Sequence, residues 1–228
     1  NQPNQPNQPN QPNRREAGKR LAKDLEKYKG RDDVLVLALP RGGVPVAYEA
    51  AKALGAPLDV FVVRKIGVPG HEELAMGAIA TGGVRVLNPS VVRSLGVSED
   101  VIDEVTQREQ EELERREQVY RGDRPPPDVK DKCVILIDDG LATGASMRAA
   151  VSALKTQEPA EVVVAVPTAA PDTSASFVDE VDDVVCVIRP HQFMGVGAWY
   201  EDFSQTTDEE VRDLLAQTTQ PGEQQQGS

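Results

Sequence analysis

Apolar positions run along this chain in two rhythms. Between Arg14 and Lys29 the string RREAGKRLAKDLEKYK sets Ala17, Leu21, Leu25 and Tyr28 at helical spacing. That spacing predicts a helix whose basic opposite face is solvated. VLVLAL at 34–39 is instead a continuous apolar run, the pattern of a parallel strand buried on both faces. GVPVAYEAAKALG at 43–55 reads as a helix closed by Gly55, and LDVFVV at 58–63 as a second strand.

Glycine then interrupts the pattern. Gly67, Pro69, Gly70, Gly77, Gly82 and Gly83 crowd the stretch 64–88, which predicts a mobile loop followed by a short hairpin, the place for a lid. Ser98 caps a charged helix over 98–120, with Glu99 and Asp100 in its first turn, ending at Gly122 and the prolines of 125–127. Its charge makes it read as largely exposed. CVILID (133–138), MRAAVSALK (147–155), EVVVAVP (161–167), a helix near 172–180 and DVVCVI (183–188) then alternate strand with helix. Such alternation predicts right-handed βαβ units. The expected class is α/β, a mainly parallel central sheet with helices on both faces. After Ile188 the repeat stops, and RPHQFMGVGAWYEDFSQ gathers Phe193, Trp199, Tyr200 and Phe203. This predicts a small C-terminal hood over about 189–215.

Composition sets bounds on this picture. The 228 residues suit one α/β domain, placed at 14–215. Residues 1–13 repeat Asn-Gln-Pro four times and end in Asn, a low-complexity segment that reads as a disordered tail, as do residues 216–228. No apolar run approaches the roughly 18 residues of a membrane span. The polar first residues show no secretory pattern. Cys133 and Cys186 lie inside apolar runs, so buried thiols in a reducing cytoplasm are expected. The formal net charge of -12 repels nucleic acid and anionic membranes, so neither is an expected partner, and an anionic ligand must be held locally.

VILIDDGLATGAS at 134–146 is where that local holding is built. An apolar strand ends in two acids, and a turn of Gly140, Ala142, Gly144 and Ala145 leaves backbone N–H groups unobstructed before a helix N-terminus. A phosphate fits there, with Thr143 and Ser146 adding hydroxyl donors. GLATGAS does not match GxxxxGK[ST], which disfavours nucleoside triphosphate hydrolysis. Asp138 and Asp139 can accept hydrogen bonds from sugar hydroxyls and help position a hard cation, directly or through water. An acid pair beside a phosphate nest describes a ribose-phosphate site.

This segment resembles the phosphoribosyl-pyrophosphate signature of type I phosphoribosyltransferases, with every position of the pattern filled. The resemblance covers about Arg31 to Phe203 and is greatest to bacterial phosphoribosyltransferases of undefined base specificity. It implies that Asp138 and Asp139 contact the ribose hydroxyls while Ala142, Thr143, Gly144, Ala145 and Ser146 wrap the 5-phosphate. LPRGGVPVA at 39–47 is similar to the family's pyrophosphate loop, which assigns Arg41, Gly42 and Gly43 to pyrophosphate and implies a nonproline cis peptide between Pro40 and Arg41. VVRKIGVPGHEELAMGAI resembles its catalytic lid, with Arg64 and Lys65 either on pyrophosphate or simply an exposed basic pair, and His71 solvated.

The implied activity is transfer of the phosphoribosyl group of 5-phosphoribosyl-1-pyrophosphate (PRPP) to a nucleobase or related nitrogen acceptor, with magnesium (Mg2+) carried by the diphosphate. Asp138, Asp139, Arg41 and Lys65 would form the catalytic set. No protein nucleophile is needed, and the two His and two Cys lack metal-ligand spacing. Trp199 or Tyr200, and secondarily Phe193, either face the acceptor ring or pack the hood. A homodimer is compatible with the family. The alternative is a PRPP-sensing regulator on the same fold. The helix at 98–120 has no assigned role.

Overall fold

The computed structural model describes residues 12–218. The first helix, α1 (Arg14–Asp24), is capped by Asn13, whose side chain accepts from the Glu16 N–H. The Asn-Gln-Pro segment, read as tail through residue 13, therefore supplies a helix cap at its last position. Its first eleven residues, and residues 219–228 of the second tail, lie outside the described residues. A Cβ on Gly18 would overlap the Val46 carbonyl, so this glycine lets α1 lie directly on α2 (Gly43–Leu54). Gly55 ends α2 in the left-handed conformation, with φ of 67°.

Five parallel strands form the central sheet: β1 (Val34–Ala38), β2 (Leu58–Val60), β6 (Cys133–Ile137), β7 (Glu161–Thr168) and β8 (Asp183–Ile188), in the order β2-β1-β6-β7-β8. Their apolar runs are continuous because each strand feeds two cores. Val34, Val36, Ala38, Ile135 and Ile137 pack with α1 and α2 on one face, while Leu35, Leu37, Val134 and Leu136 pack with α5 (Ala145–Lys155) on the other. Helices cover both faces, as the alternation predicts.

The stretch 64–88 contains the expected short hairpin, but the segment read as a loop before it is strand. Its chain forms β3 (Val63–Val68), β4 (His71–Ala80) and β5 (Val84–Leu87), a second, antiparallel sheet of three strands. The apolar run 58–63 is accordingly divided between two sheets. Glycine misled the reading because Gly77 sits inside β4, where a Cβ would overlap the Val86 carbonyl; close strand approach requires it there. Gly70, Gly82 and Gly83 do mark turns, all with positive φ.

After α3 (Pro89–Ser94), α4 (Glu99–Arg121) follows the expected boundaries closely. It is less exposed than its charge implied: Ile102, Val105, Leu113 and Tyr120 join the α1/α2 core. The helix expected near 172–180 is the short α6 (Pro171–Ser176). The hood runs from Arg189 through a short 3-10 turn, Val196–Trp199, and ends in α7 (Asp208–Ala216), whose Val211, Leu214 and Leu215 enter the same core.

Candidate active site

The strand order fixes where a ligand can sit. β1 and β6 are neighbours, yet the chain leaves β1 for α2 on one face and leaves β6 for α5 on the other. The crevice at their carboxyl ends is the topological switch point of the sheet, the usual ligand position in open α/β folds. The two segments singled out by sequence, 39–43 and 138–146, are the loops that form this crevice.

Between them the backbone is close-packed. The Leu39 N–H donates to the Ile137 carbonyl at 2.9 Å, and the Pro40–Arg41 peptide bond is cis. A Cβ on Gly43 would lie 2.7 Å from the Ile137 carbonyl oxygen and 3.1 Å from Asp138 Cα. On Gly42 it would overlap Asp139 Oδ2. These two glycines bring the backbone at the start of α2 against the acid pair.

On the β6 side, Asp138 Oδ1 accepts from the Asp139 N–H at 2.8 Å. The Leu141 N–H donates to the Thr168 carbonyl at 3.0 Å, pinning the turn to β7. Gly144 holds φ of 78° at the N-cap of α5, where a Cβ would lie 2.8 Å from Thr173 Cγ2. Thr173 Oγ1 donates to the Ala142 carbonyl at 2.6 Å, and Thr143 Oγ1 accepts from the Ala145 N–H at 3.3 Å. Ala142, Thr143 and Ser146 remain exposed, Ala145 is half-buried, and the first-turn N–H groups of α5 point out of the helix end. The turn can therefore receive an anion from solvent.

The charges around the acids are unequal. Burial pushes the Asp138 carboxyl well above the usual carboxylate range, and the neighbouring Asp139 charge adds to the shift. Asp139 has a cation of its own: Arg14 Nε lies 3.0 Å from Oδ2. The same guanidinium donates through Nη1 to the Ser204 carbonyl at 2.5 Å and stacks 4.1 Å from the Phe203 ring centroid. Sequence reasoning missed Arg14, because nothing distinguishes it from the other basic residues of α1. Nor is that face simply solvated, since the adjacent Arg15 pairs with the buried Glu49 at 2.6 Å.

Tyr200 is only 5% exposed and donates its hydroxyl to the Asp139 carbonyl at 2.6 Å. Neither face of its ring is open to an acceptor, so among the aromatic candidates Tyr200 is packing that positions Asp139. Phe193 and Trp199 are half-buried, and the Trp199 indole nitrogen has no hydrogen-bond partner.

The remaining candidates are dispersed. Arg41, together with Arg115, Arg116 and Tyr120 of α4, lines a cavity of about 190 Å3 and lies 3.7 Å from Asp208. Arg64 is committed to α4 through Glu109 Oε2 at 2.6 Å. Strand alternation puts Lys65 on the opposite face of β3, exposed. His71 is exposed on β4. Cys133 and Cys186 are buried free thiols, both pushed up to about 11 chiefly by burial. Among the described residues no group of three or more His, Cys, Asp or Glu could hold a metal, and no helix is long and apolar enough to cross a membrane.

Comparison with known proteins decides the family. Residues 9–201 match the phosphoribosyl transferase domain. The chain belongs to this family. It is 46% identical over 198 residues to a Mycobacterium tuberculosis protein named "Putative phosphoribosyl transferase Rv0571c", a match covering 87% of this chain and 44% of that protein. The chain thus spans under half the length of that relative. "Bifunctional protein PyrR" of Clostridium acetobutylicum is 30% identical over 130 residues, covering 57% of this chain and 53% of its own. Among solved structures, the TT1426 protein of Thermus thermophilus is 43% identical with a TM-score of 0.80, over 89% of this chain and 96% of that one. Family membership accounts for the parallel sheet with helices on both faces.

Proposed function

We propose that this chain transfers the phosphoribosyl group of PRPP to a nitrogen acceptor and releases pyrophosphate. The observation that carries the proposal is the junction at the switch point, where the Arg41–Gly43 loop and the Asp138–Asp139 pair meet beside an anion-receiving turn. The turn from Ala142 to Ser146 holds the 5-phosphate through backbone N–H groups and the Thr143 and Ser146 hydroxyls. Asp138 and Asp139 accept from the ribose hydroxyls. Gly42 and Gly43 admit the pyrophosphate to the backbone, and Arg41 and Lys65 supply charge to it as it leaves.

No side chain has to act as a nucleophile. The transition state at the ribose anomeric carbon resembles an oxocarbenium ion, so positioning and stabilisation of the departing anion are the protein's tasks. The two acids fit a hard cation, held directly or through water, that takes its other ligands from the substrate and solvent. Magnesium bound beside Asp138 and Asp139 would supply positive charge to offset that of the departing pyrophosphate. Buried free thiols accord with a cytoplasmic setting.

The test is product analysis with PRPP, magnesium and a panel of purines, pyrimidines and simple amines. Nucleotide and pyrophosphate formed in equal amounts with one acceptor support transfer. Pyrophosphate without a nucleotide indicates a hydrolase, and tight PRPP binding without turnover across the panel indicates a PRPP-sensing regulator.

A further inference from the structure

Arg14 sits in a position that the proposed chemistry leaves unexplained. It opens α1, 125 residues away in sequence from Asp139, yet only 12% of its side chain and 15% of that of Asp139 remain exposed. Its fork is divided between two segments: Nε serves the Asp139 carboxylate, and Nη1 serves the Ser204 carbonyl of the hood. The Phe203 ring lies against the guanidinium plane, and Tyr200 holds the Asp139 carbonyl from the same side. Pro12 adds a third tie, accepting from the Asp202 N–H at 2.9 Å. One acid of the pair is therefore clamped through side chain and backbone to the hood; the other is not.

We propose that Arg14 is a positioning residue that dedicates the Asp139 carboxylate to the sugar end of the bound phosphoribosyl group and ties it to the hood. The inference rests on the proposed phosphoribosyl site and deepens it. A guanidinium on Oδ2 orients the carboxylate. A carboxylate oriented in this way presents its other oxygen, Oδ1, to a hydroxyl donor. The same positive charge repels a dication, which makes Asp139 a poor direct ligand for magnesium and a good acceptor for a neutral donor. Because the clamp includes Ser204 and Phe203, occupancy of the sugar site bears on the hood segment above it.

The experiment separates the two ends of the substrate. Calorimetry on the full chain and on Arg14→Gln and Arg14→Lys measures ribose 5-phosphate, and separately magnesium pyrophosphate. Arg14→Gln is expected to bind ribose 5-phosphate about tenfold more weakly and magnesium pyrophosphate within about twofold of the parent, with Arg14→Lys recovering part of the loss. Amide exchange over 196–206 is expected to accelerate in Arg14→Gln. Unchanged affinity for ribose 5-phosphate, or equal weakening of both ligands, overturns the dedication; unchanged exchange overturns the tie to the hood. A parent that binds neither ligand refutes the phosphoribosyl site itself and the dedication with it, while the exchange result still decides the tie.

Discussion

Gly42 and Asp139 occupy one another's space: a Cβ on the glycine would overlap the carboxylate oxygen Oδ2. The φ of Gly42 is -60°, so alanine suits the backbone there and the whole cost arises from that contact. Either Asp139 turns away or the loop lifts. Gly42→Ala should lose about 1–3 kcal/mol of stability, the usual cost of overpacking, and bind PRPP at least roughly tenfold more weakly. Thermal melting and calorimetry on the same preparation check both halves; unchanged affinity would show that the loop and the acid do not share a ligand.

The raised Asp138 carboxyl makes a prediction of definite sign. Its proton is held more tightly in the folded state than in the unfolded one, so stability falls as pH rises from the usual carboxylate value toward the raised one. Asn at 138 keeps the Oδ1 acceptor for the Asp139 N–H and removes that fall. Asp138→Asn should melt roughly 2–4 °C higher than the parent at pH 7 for each ~1 kcal/mol relieved, and alongside it below pH ~4. Combined with Asp139→Asn it should lose PRPP affinity, since each charge-assisted hydrogen bond contributes about 1.5–3 kcal/mol. A variant that is less stable at neutral pH would contradict the assignment of burial as the cause.

Arg64 and Lys65 are adjacent in sequence and should behave oppositely. Arg64 is about a quarter exposed and holds α4 to β3 through Glu109. Arg64→Ala should cost up to ~1 kcal/mol of stability, the range for a partly exposed pair, with little effect on PRPP affinity. Lys65, exposed on the other face, should leave stability unchanged when replaced by Ala and lower the rate of transfer. Chemical denaturation and steady-state rates on the two variants distinguish them; a rate loss confined to Arg64→Ala would reverse the roles.

Legibility in the sequence followed the number of sheet faces a residue serves. β1, β6 and β7 were readable because both faces are buried and the apolar run is unbroken. The crevice loops were readable because small residues and acids at a strand end have few other uses. β3 was not, and β4 and β5 were legible only as a short hairpin, since Gly67 and Gly77 lie inside strands, Gly77 where a Cβ would overlap the Val86 carbonyl of the paired strand. In α4, the buried Ile102, Val105 and Leu113 were hidden among charges that pair on the surface, such as Glu112 with Arg115 and Arg116. The Arg14–Asp139 pair joins two elements that only the folded sheet brings together.

At the end of α4, Arg121 is 4% exposed and pairs with Glu117 at 2.5 Å and with Asp59 at 3.7 Å, while its Nε and Nη1 lack hydrogen-bond partners. Burial raises both acids despite the nearby cation. Removing the cation alone strands the buried Asp59 carboxylate and the half-buried Glu117 one, so Arg121→Leu should cost about 3–5 kcal/mol. Adding Asp59→Asn and Glu117→Gln should restore most of it. Urea denaturation of the single and triple variants decides; a single variant as stable as the parent would mean that water already reaches the cluster.

Trp199 bears on the acceptor. Its ring is half-buried in the hood, and its indole N–H, a donor with no acceptor capacity, is shielded from solvent without a partner. An unmet buried donor costs about 1–3 kcal/mol, which an acceptor carbonyl or ring nitrogen placed there would relieve. Stacking on the indole is worth roughly 1–3 kcal/mol per base and is shared by purines and pyrimidines, so with an acceptor seated there the ring would supply affinity and the N–H selectivity. Because Trp199 is the only tryptophan, its emission reports this position alone. A productive acceptor added to the protein holding PRPP and magnesium should quench it, and Trp199→Phe, which keeps a ring but lacks the N–H, should retain turnover while losing preference between acceptors with and without a carbonyl. Unchanged emission with a verified acceptor, together with unchanged preference in Trp199→Phe, would assign Trp199 to packing of the hood.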